Sequence, residues 1–439
     1  MTATTTSPEF TRTHAAMGPS YGAPWLQQRR AEAAEVFDRL GLPPVTHEDW
    51  RLTNTAQIAK IDFNAPGNIR ALTREQLGGL CLKKLGAQQI VFVDGKFSPE
   101  FSSPGGKVEV LTLRQGMEKH GDRVQRFLGR EMPAQANGFS AMNLAGFEDG
   151  AFIYLPPDQG EMGLVHLLWV TSAHDQPVVV HPRNLLIIGS NTHITLVQSY
   201  AGFSSQPTLC NAVTEMVVGK GAKVELIKLQ RENESAFHVA NEAIHVHEHA
   251  DVQSLVVNTG GHLVRNNMTV HLAEPFAQAT LNGLTMAAGD QHIDNHTMLD
   301  HARENCPSHE LYKHLLGGRS SAVFRGKILV RPDAQKTDSK QTSKTILLSD
   351  DAVMNSQPQL EIYADDVKCT HGSTTGPLDN EQLFYLRSRG VAAADAGALL
   401  TYAFARDVLL KIWHTGMREY LEEFVAAELH RLHLDQAES

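Results

Sequence analysis

A thiol and an imidazole stand two residues apart in VKCTHGSTTG, residues 367 to 376, as Cys369 and His371. On an extended strand, side chains i and i+2 point to one face, so sulfur and nitrogen donors are presented together while Thr370 faces away. That pair suits a soft metal or an iron–sulfur species. Two ligands cannot close a stable site, so the pair needs help from elsewhere, such as another subunit. The plainer alternative is a strand end, since the spacing turns helical directly afterwards.

Two other clusters compete for a chemical role. IHVHEHADV sets His245, His247 and His249 at period two, on one side of a strand. Imidazoles so placed can ligate zinc, copper or iron. The chain holds 22 histidines, however, and no carboxylate follows at a cupin-like distance, which favours an unliganded face. GDQHIDNHTMLDH offers Asp290, His292, Asp294, His296 and His301 for acid–base or metal chemistry. With no serine or cysteine nucleophile nearby, a hydrogen-bonding ladder is the favoured reading. No Gly-x-x-x-x-Gly-Lys-[Ser/Thr] loop is present, so the chain is not itself expected to bind nucleotide phosphates.

The whole chain narrows the class. Its 439 residues carry 39 Lys and Arg against 49 Asp and Glu, a net charge of −10 with no long run of either sign. Nucleic-acid and anionic-membrane binders need a basic face, which argues against both. The longest apolar candidate, VAAADAGALLTYAFA, carries Asp395, so no membrane span is expected. MTATTTSPEFTRTHAAMG lacks an apolar h-region and is read as a disordered tail rather than a secretory signal. Cys81, Cys210, Cys306 and Cys369 are isolated, with no CxxC, which suits a reducing cytosol.

The elements that must position these residues fall into three zones. Residues 1–150 mix helices and short strands. PWLQQRRAEAAEVFDRLGLPP predicts an amphipathic helix with Trp25, Leu26, Val36, Phe37 and Leu40 on one side, ended by Gly41 and Pro43-Pro44. THEDWRLT predicts a capping-box start with Thr46 and Asp49, and QQIVFVDGKFSPEF a hairpin turning at Asp94-Gly95. Residues 151–378 are short β runs. THITL, AKVEL, ADVQS and AQATL start at Thr192, Ala222, Ala250 and Ala277, 30, 28 and 27 residues apart, and SAVFR follows 44 residues later. Two strands per interval is the pattern of a β-solenoid; a β-sandwich remains the alternative on periodicity alone. Residues 379–439 are helical, with Leu399, Phe404 and Leu409 on one face and Tyr420 and Phe424 on another. Such helices either cap a solenoid or dock a partner.

The run from FRGKI at Phe324 through AQKTDSKQTSKTILLSD to QPQLEIYADDVKCTHGSTTGPLDNEQLFYLRSRG closely resembles the core of the SufB/SufD family of iron–sulfur cluster assembly proteins. GDQHIDNHTMLDH and HEDWRLT match further landmarks of that family. SufB-like chains carry a Glu-His-Glu segment where this one reads Cys369-Thr370-His371-Gly372, and a cysteine near Phe384-Tyr385 that is missing here. Both departures point to the SufD side. The resemblance implies a mainly β chain, a right-handed parallel β-helix with helical N- and C-terminal regions. It further implies a cytoplasmic, non-catalytic scaffold that pairs with a SufB-like paralogue and docks a SufC-like ATPase through its C-terminal helices. His371, with Cys369 beside it, then matches the histidine facing the essential cysteine of SufB, where a transient iron–sulfur cluster forms. Whether a reduced flavin binds the complex, and whether the isolated chain forms a homodimer, stay open. The alternatives are a homodimeric β-helix scaffold without a metal role and a β-helix carbohydrate-active enzyme, which would need a carboxylate pair that does not stand out.

Overall fold

Residues 22–67 and 72–437 are described by a computed structural model; the N-terminal tail considered above lies outside them. Two long sheets, of ten and eleven strands, face each other across a parallel β-solenoid of about 8 turns. Each full turn lends one strand to each sheet. In the ten-stranded sheet Lys223 pairs with His193 and Asp251, and Asp251 with Gln278, all parallel. Thr192, Ala222, Ala250 and Ala277 therefore begin successive turns at equivalent points, which excludes the sandwich. Cys306 and Thr337 continue the series, because the strands Pro307–Leu316 and Asp338–Leu347 stack next. SAVFR does not belong to it. Ser321–Val330 lies in the eleven-stranded sheet against His292–His301, so the 44-residue interval joins two different sheets rather than marking a long turn.

A repeated corner sets this period. Asn191, Gly221, His249, Phe276, Asn305 and Lys336 all have positive φ, and each directly precedes one of the small residues of the series. The left-handed residue reverses the chain, and the next side chain must be small because it turns into the packed interior. Ala222, Ala250 and Ala277 are fully buried there, and the amides of Asp251 and Gln278 donate to the carbonyls of Ala222 and Ala250, both at 2.9 Å. His249 is thus a corner residue stacked on Phe276, the corner of the next turn, at 4.8 Å. It is not part of a strand face with His245, as the alternation had suggested.

The outer faces are covered on opposite sides. Helix Pro24–Leu40 ends at Gly41 (φ 60°) and buries Leu26, Val36 and Phe37, with Leu40 left exposed. Its cluster packs over Leu185, Leu209, Val239 and Leu263 of the eleven-stranded sheet. The expected capping box at Thr46 is not formed. Glu48–Trp50 is a single 3₁₀ turn with no side-chain cap, held instead by tertiary contacts. Glu48 and Asp49 reach Arg325 at 2.8 and 3.2 Å, and Trp50 lies under the Arg265 guanidinium at 4.3 Å. The hairpin forms as expected, Gln88–Val93 against Lys96–Phe97, with positive φ at Asp94 and Gly95. Among the described residues, no helix is long and apolar enough to cross a membrane.

The segment Gly129–Met132 is tied to the solenoid by one buried carboxylate. Glu215 accepts four backbone N–H bonds from it, at 2.8 to 3.3 Å, and pairs with fully buried Arg183 at 2.5 Å. Glu225 does the same on the other side, accepting the amides of Trp413 and His414 between the last two helices.

Candidate functional site

Strand Lys368–Gly376 ends the ten-stranded sheet and is paired along one edge only, with Asp338–Leu347. Cys369 stands opposite Ser339 and His371 opposite Gln341. Ser339, Gln341, Ser343 and Thr345 are buried on the inner face. Cys369, His371, Ser373 and Thr375 therefore continue the inner rows of the solenoid, but among the described residues no further turn covers them. His371 is exposed, and Cys369 is half-buried against the core. Thr370, opposite Lys340, falls on the outer side. The shared face expected for Cys369 and His371 is thus the interior of the solenoid at its open end.

The free edge carries backbone donors. Lys368 N–H donates to Thr337 at 2.8 Å. Alternation along a parallel strand then turns the N–H groups of Cys369, His371, Ser373 and Thr375 outward. Unpaired edges of this length invite pairing with another chain. Across the opening stand Val353–Ser356 and Gln359–Ile362, split at Pro358, with Val353, Ile362 and Tyr363 exposed.

Beneath the opening the interior turns polar. Gln341 lies below His371 and donates to the Glu310 carboxyl in the next turn down. Burial raises Glu310 to about 7. The row below Cys369 runs through Ser339 and Ser308, 2.7 Å apart, to His301 Nε2 at 3.0 Å. Burial lowers His301 and His314 to about 4, so both imidazoles are neutral at physiological pH. Partial burial also raises the Cys369 thiol, which keeps it protonated until a cation or metal comes close. The result is a hydrogen-bonding column leading down from the exposed pair, whose one acid, Glu310, changes charge near neutral pH. The sequence reading missed Glu310, Gln341, Ser308 and Ser339; the signal was there as the spacing of one turn that separates Glu310, Gln341 and His371.

In the other candidate clusters the polar groups are taken up by neighbours, although the His245 ring stays 4.9 Å from His247 and 5.1 Å from His271. His245, His247 and His271 each turn Nδ1 to a carboxylate, Glu131, Glu274 and Asp300, at 3.4, 3.1 and 2.9 Å. Asp290 pairs on the surface with Arg319. Asp294 is buried under the N-terminal region between Arg265 and His296, at 2.5 and 3.1 Å. His301 faces inward. Cys369 and His371 belong to no group of three donors: among the described residues such a group forms only at Cys210, Glu232 and His238.

The C-terminal helices Asn380–Ser388, Ala393–Leu409 and Thr415–Ala437 divide their apolar residues between two uses. Leu409, Leu421, Val425 and Leu429 are buried against Val197, Ile227, Leu255, Leu284 and Leu315 of the ten-stranded sheet. Phe404, Tyr420 and Phe424 are half-buried beside them, Phe404 under the Lys313 ammonium at 4.4 Å and Tyr420 accepting from Arg231 at 3.0 Å. Leu399 is 52% exposed, and Phe384, Tyr385 and Trp413 are exposed as well.

A family model described as the SufBD core domain of SUF-system FeS cluster assembly matches residues 169–404, and one for the SufBD N-terminal region matches residues 9–161. An iron–sulfur cluster assembly SufBD family protein of Synechocystis is 31% identical over 91% of this chain and 90% of its own length. The iron–sulfur cluster assembly protein SufD of Escherichia coli is 29% identical over 87% of this chain and 88% of that protein. The chloroplastic protein ABCI7 of Arabidopsis thaliana is 27% identical over 93% and 86%.

Proposed function

The chain belongs to the SufBD family of iron–sulfur cluster assembly proteins, and on that premise we propose that it is the SufD-like, non-catalytic subunit of a SufB–SufC–SufD complex in a reducing cytosol. The observation that carries this reading is the unfinished end of the solenoid. An edge strand with outward N–H groups offers a paralogous solenoid a strand to pair with, and Cys369 and His371 sit inside the seam so formed. The pair supplies half a donor set and the partner the rest. A neutral imidazole on the protein side is a modest ligand for iron, which suits a cluster that is built and then handed on. The four free cysteines support the reducing setting. ATP hydrolysis by a SufC-like partner would act through the C-terminal helices, whose hold on the sheet through Glu225 and Lys313 couples their movement to the solenoid.

The test is the iron and acid-labile sulfide content of the co-expressed complex. His371→Ala is expected to assemble and hydrolyse ATP while cluster content falls roughly tenfold or more. Cys369→Ser is milder, and Thr370→Ala, on the outer side, changes little. Normal content in His371→Ala refutes the ligand role. For the ATPase, Leu399→Glu weakens docking without unfolding, whereas Leu409→Glu disrupts the helix–sheet core; unchanged ATPase affinity in Leu399→Glu would move the docking surface elsewhere.

A further inference from the structure

Cys210 and His238 stand directly opposite each other on adjacent strands, Thr208–Val218 and Ala236–Val246, both on the inner face. Glu232 enters the same space from the end of strand Lys223–Arg231. The three are almost completely buried, and one donor atom from each, sulfur, nitrogen and oxygen, lies within 4.8 Å of the others. A small, partly open cavity of about 10 Å³ has Cys210 and Glu232 in its lining, beside Trp169, Val180, Pro182 and Tyr200 among others; His238 stands outside that lining. That is room for about one small atom or water.

Polar groups in this part of the interior are incompletely satisfied. His238 Nδ1 lies 2.8 Å from Glu232 Oε2 without hydrogen-bond geometry, and Nε2 has no hydrogen-bond partner either. Both carboxylate oxygens of nearby Glu242 lack hydrogen-bond partners too, with Lys228 Nζ no closer than 3.8 Å. Orphaned polar groups in a core are costly, so the unpartnered His238 ring beside a buried thiol and carboxylate calls for an explanation.

We propose that Cys210, Glu232 and His238 form a buried site for a single divalent transition ion of the Zn(II) or Fe(II) class, separate from the open end. Thiolate, imidazole and carboxylate together are the donor set such borderline ions favour, and hard ions such as Mg(II) do not. Three protein donors leave a fourth position for a water molecule, and the small cavity beside Cys210 and Glu232 is room for one. Binding replaces the Cys210 thiol proton by the metal, and the proton is released to solvent. The site joins strands of successive turns, so an ion there clips the solenoid near its middle.

The full-length chain, carrying Cys369→Ser to silence the open-end thiol, is produced in minimal medium supplemented with Co(II). The expected result is one retained cobalt per chain with a thiolate-to-cobalt charge-transfer band in the near ultraviolet. Cys210→Ser, close in size, loses the band and most of the cobalt; Cys81→Ser and Cys306→Ser keep both. Anomalous scattering at the cobalt edge from crystals of the loaded protein gives a peak among the three residues, and this decides the matter even where Cys210→Ser folds poorly. No retained cobalt, a band that survives Cys210→Ser, or a peak elsewhere overturns the site and leaves His238 and Glu232 as a buried side-chain contact only.

Discussion

At its N-terminal end the solenoid closes on aromatic rings. Phe92 stacks on Trp169 at 4.0 Å with Phe97 edge-on beside it, and Ile90, Ile153, Val165 and Leu167 fill the space around them. The edges there are covered by short antiparallel strands, Lys96–Phe97 on one sheet and Val110–Thr112 on the other. At the C-terminal end the corresponding inner positions are Cys369, His371, Ser373 and Thr375, small or polar, at an edge that no described strand pairs. One end is sealed with the residues that resist opening; the other uses residues that gain little from burial and keep their hydrogen-bonding capacity. A repeat protein needs both of its ends protected. Under the proposed function, the cover of this end is the partner chain.

The largest expected contrast is in stability. Glu215→Ala leaves Arg183 buried without its carboxylate and frees four amides of Gly129–Met132, and is expected to lower unfolding free energy by about 3–5 kcal/mol in denaturant titration. His371→Ala at the open end should change it by no more than about 0.5 kcal/mol. Equal losses would mean that the open end is as much a part of the core as the closed one.

Next in size is a pH effect rooted in the polar column. Glu310 is raised by burial to about 7 from a value near 4.5. Between these limits the folded protein binds a proton that the unfolded chain has lost, so stability falls as pH rises through this window and levels off above it. The full span corresponds to about 3 kcal/mol. Glu310→Gln keeps a group able to accept from Gln341 and removes the charge. Relative to the wild type it should match at pH 4 and be more stable at pH 8, by up to that amount. A difference that does not change with pH would show that Glu310 titrates normally and that the column is wetter than its burial implies.

The sequence carried the repeat better than it carried the corner. Thr192, Ala222, Ala250 and Ala277 were legible because the packed turn demands a small side chain, but the left-handed residues before the small residues of the series are of five different kinds in six turns, so no residue type announced them. That is why His249 passed for a strand residue and SAVFR for a late turn. Cys369 and His371 were legible as a same-face pair because alternation is local. Which face it was depended on Ser339 and Gln341 across the strand pair, some thirty residues away in sequence. Cys210 and His238 were hidden for the same reason: cysteines without a CxxC neighbour looked isolated, while the solenoid brings residues one turn apart into register. The helices show the limit from the other side. Their apolar faces were plain, yet the part that packs at home, Leu409 and Leu421, and the part that stays exposed, Leu399, have the same composition. Only the position of the sheet separates them.

The smallest effect tests the free edge itself. Ser373 is exposed, and its N–H points away from the sheet, so Ser373→Pro removes one outward donor and places a ring in the path of an incoming strand. Gly372 before it tolerates the extended backbone that a following proline requires. Gly372→Pro is the matched control, because the alternation that begins at Lys368 turns the Gly372 N–H inward to the neighbouring strand. Ser373→Pro should keep the melting temperature of the isolated chain and weaken association with the paralogous partner roughly fivefold, the equivalent of one hydrogen bond of about 1 kcal/mol. Gly372→Pro should instead lower the melting temperature. Titration of each variant against the partner, with thermal melts of the chain alone, separates the two sides of one strand. If Ser373→Pro binds as the wild type does, the partner does not pair with this edge, and the open end is covered by side chains alone.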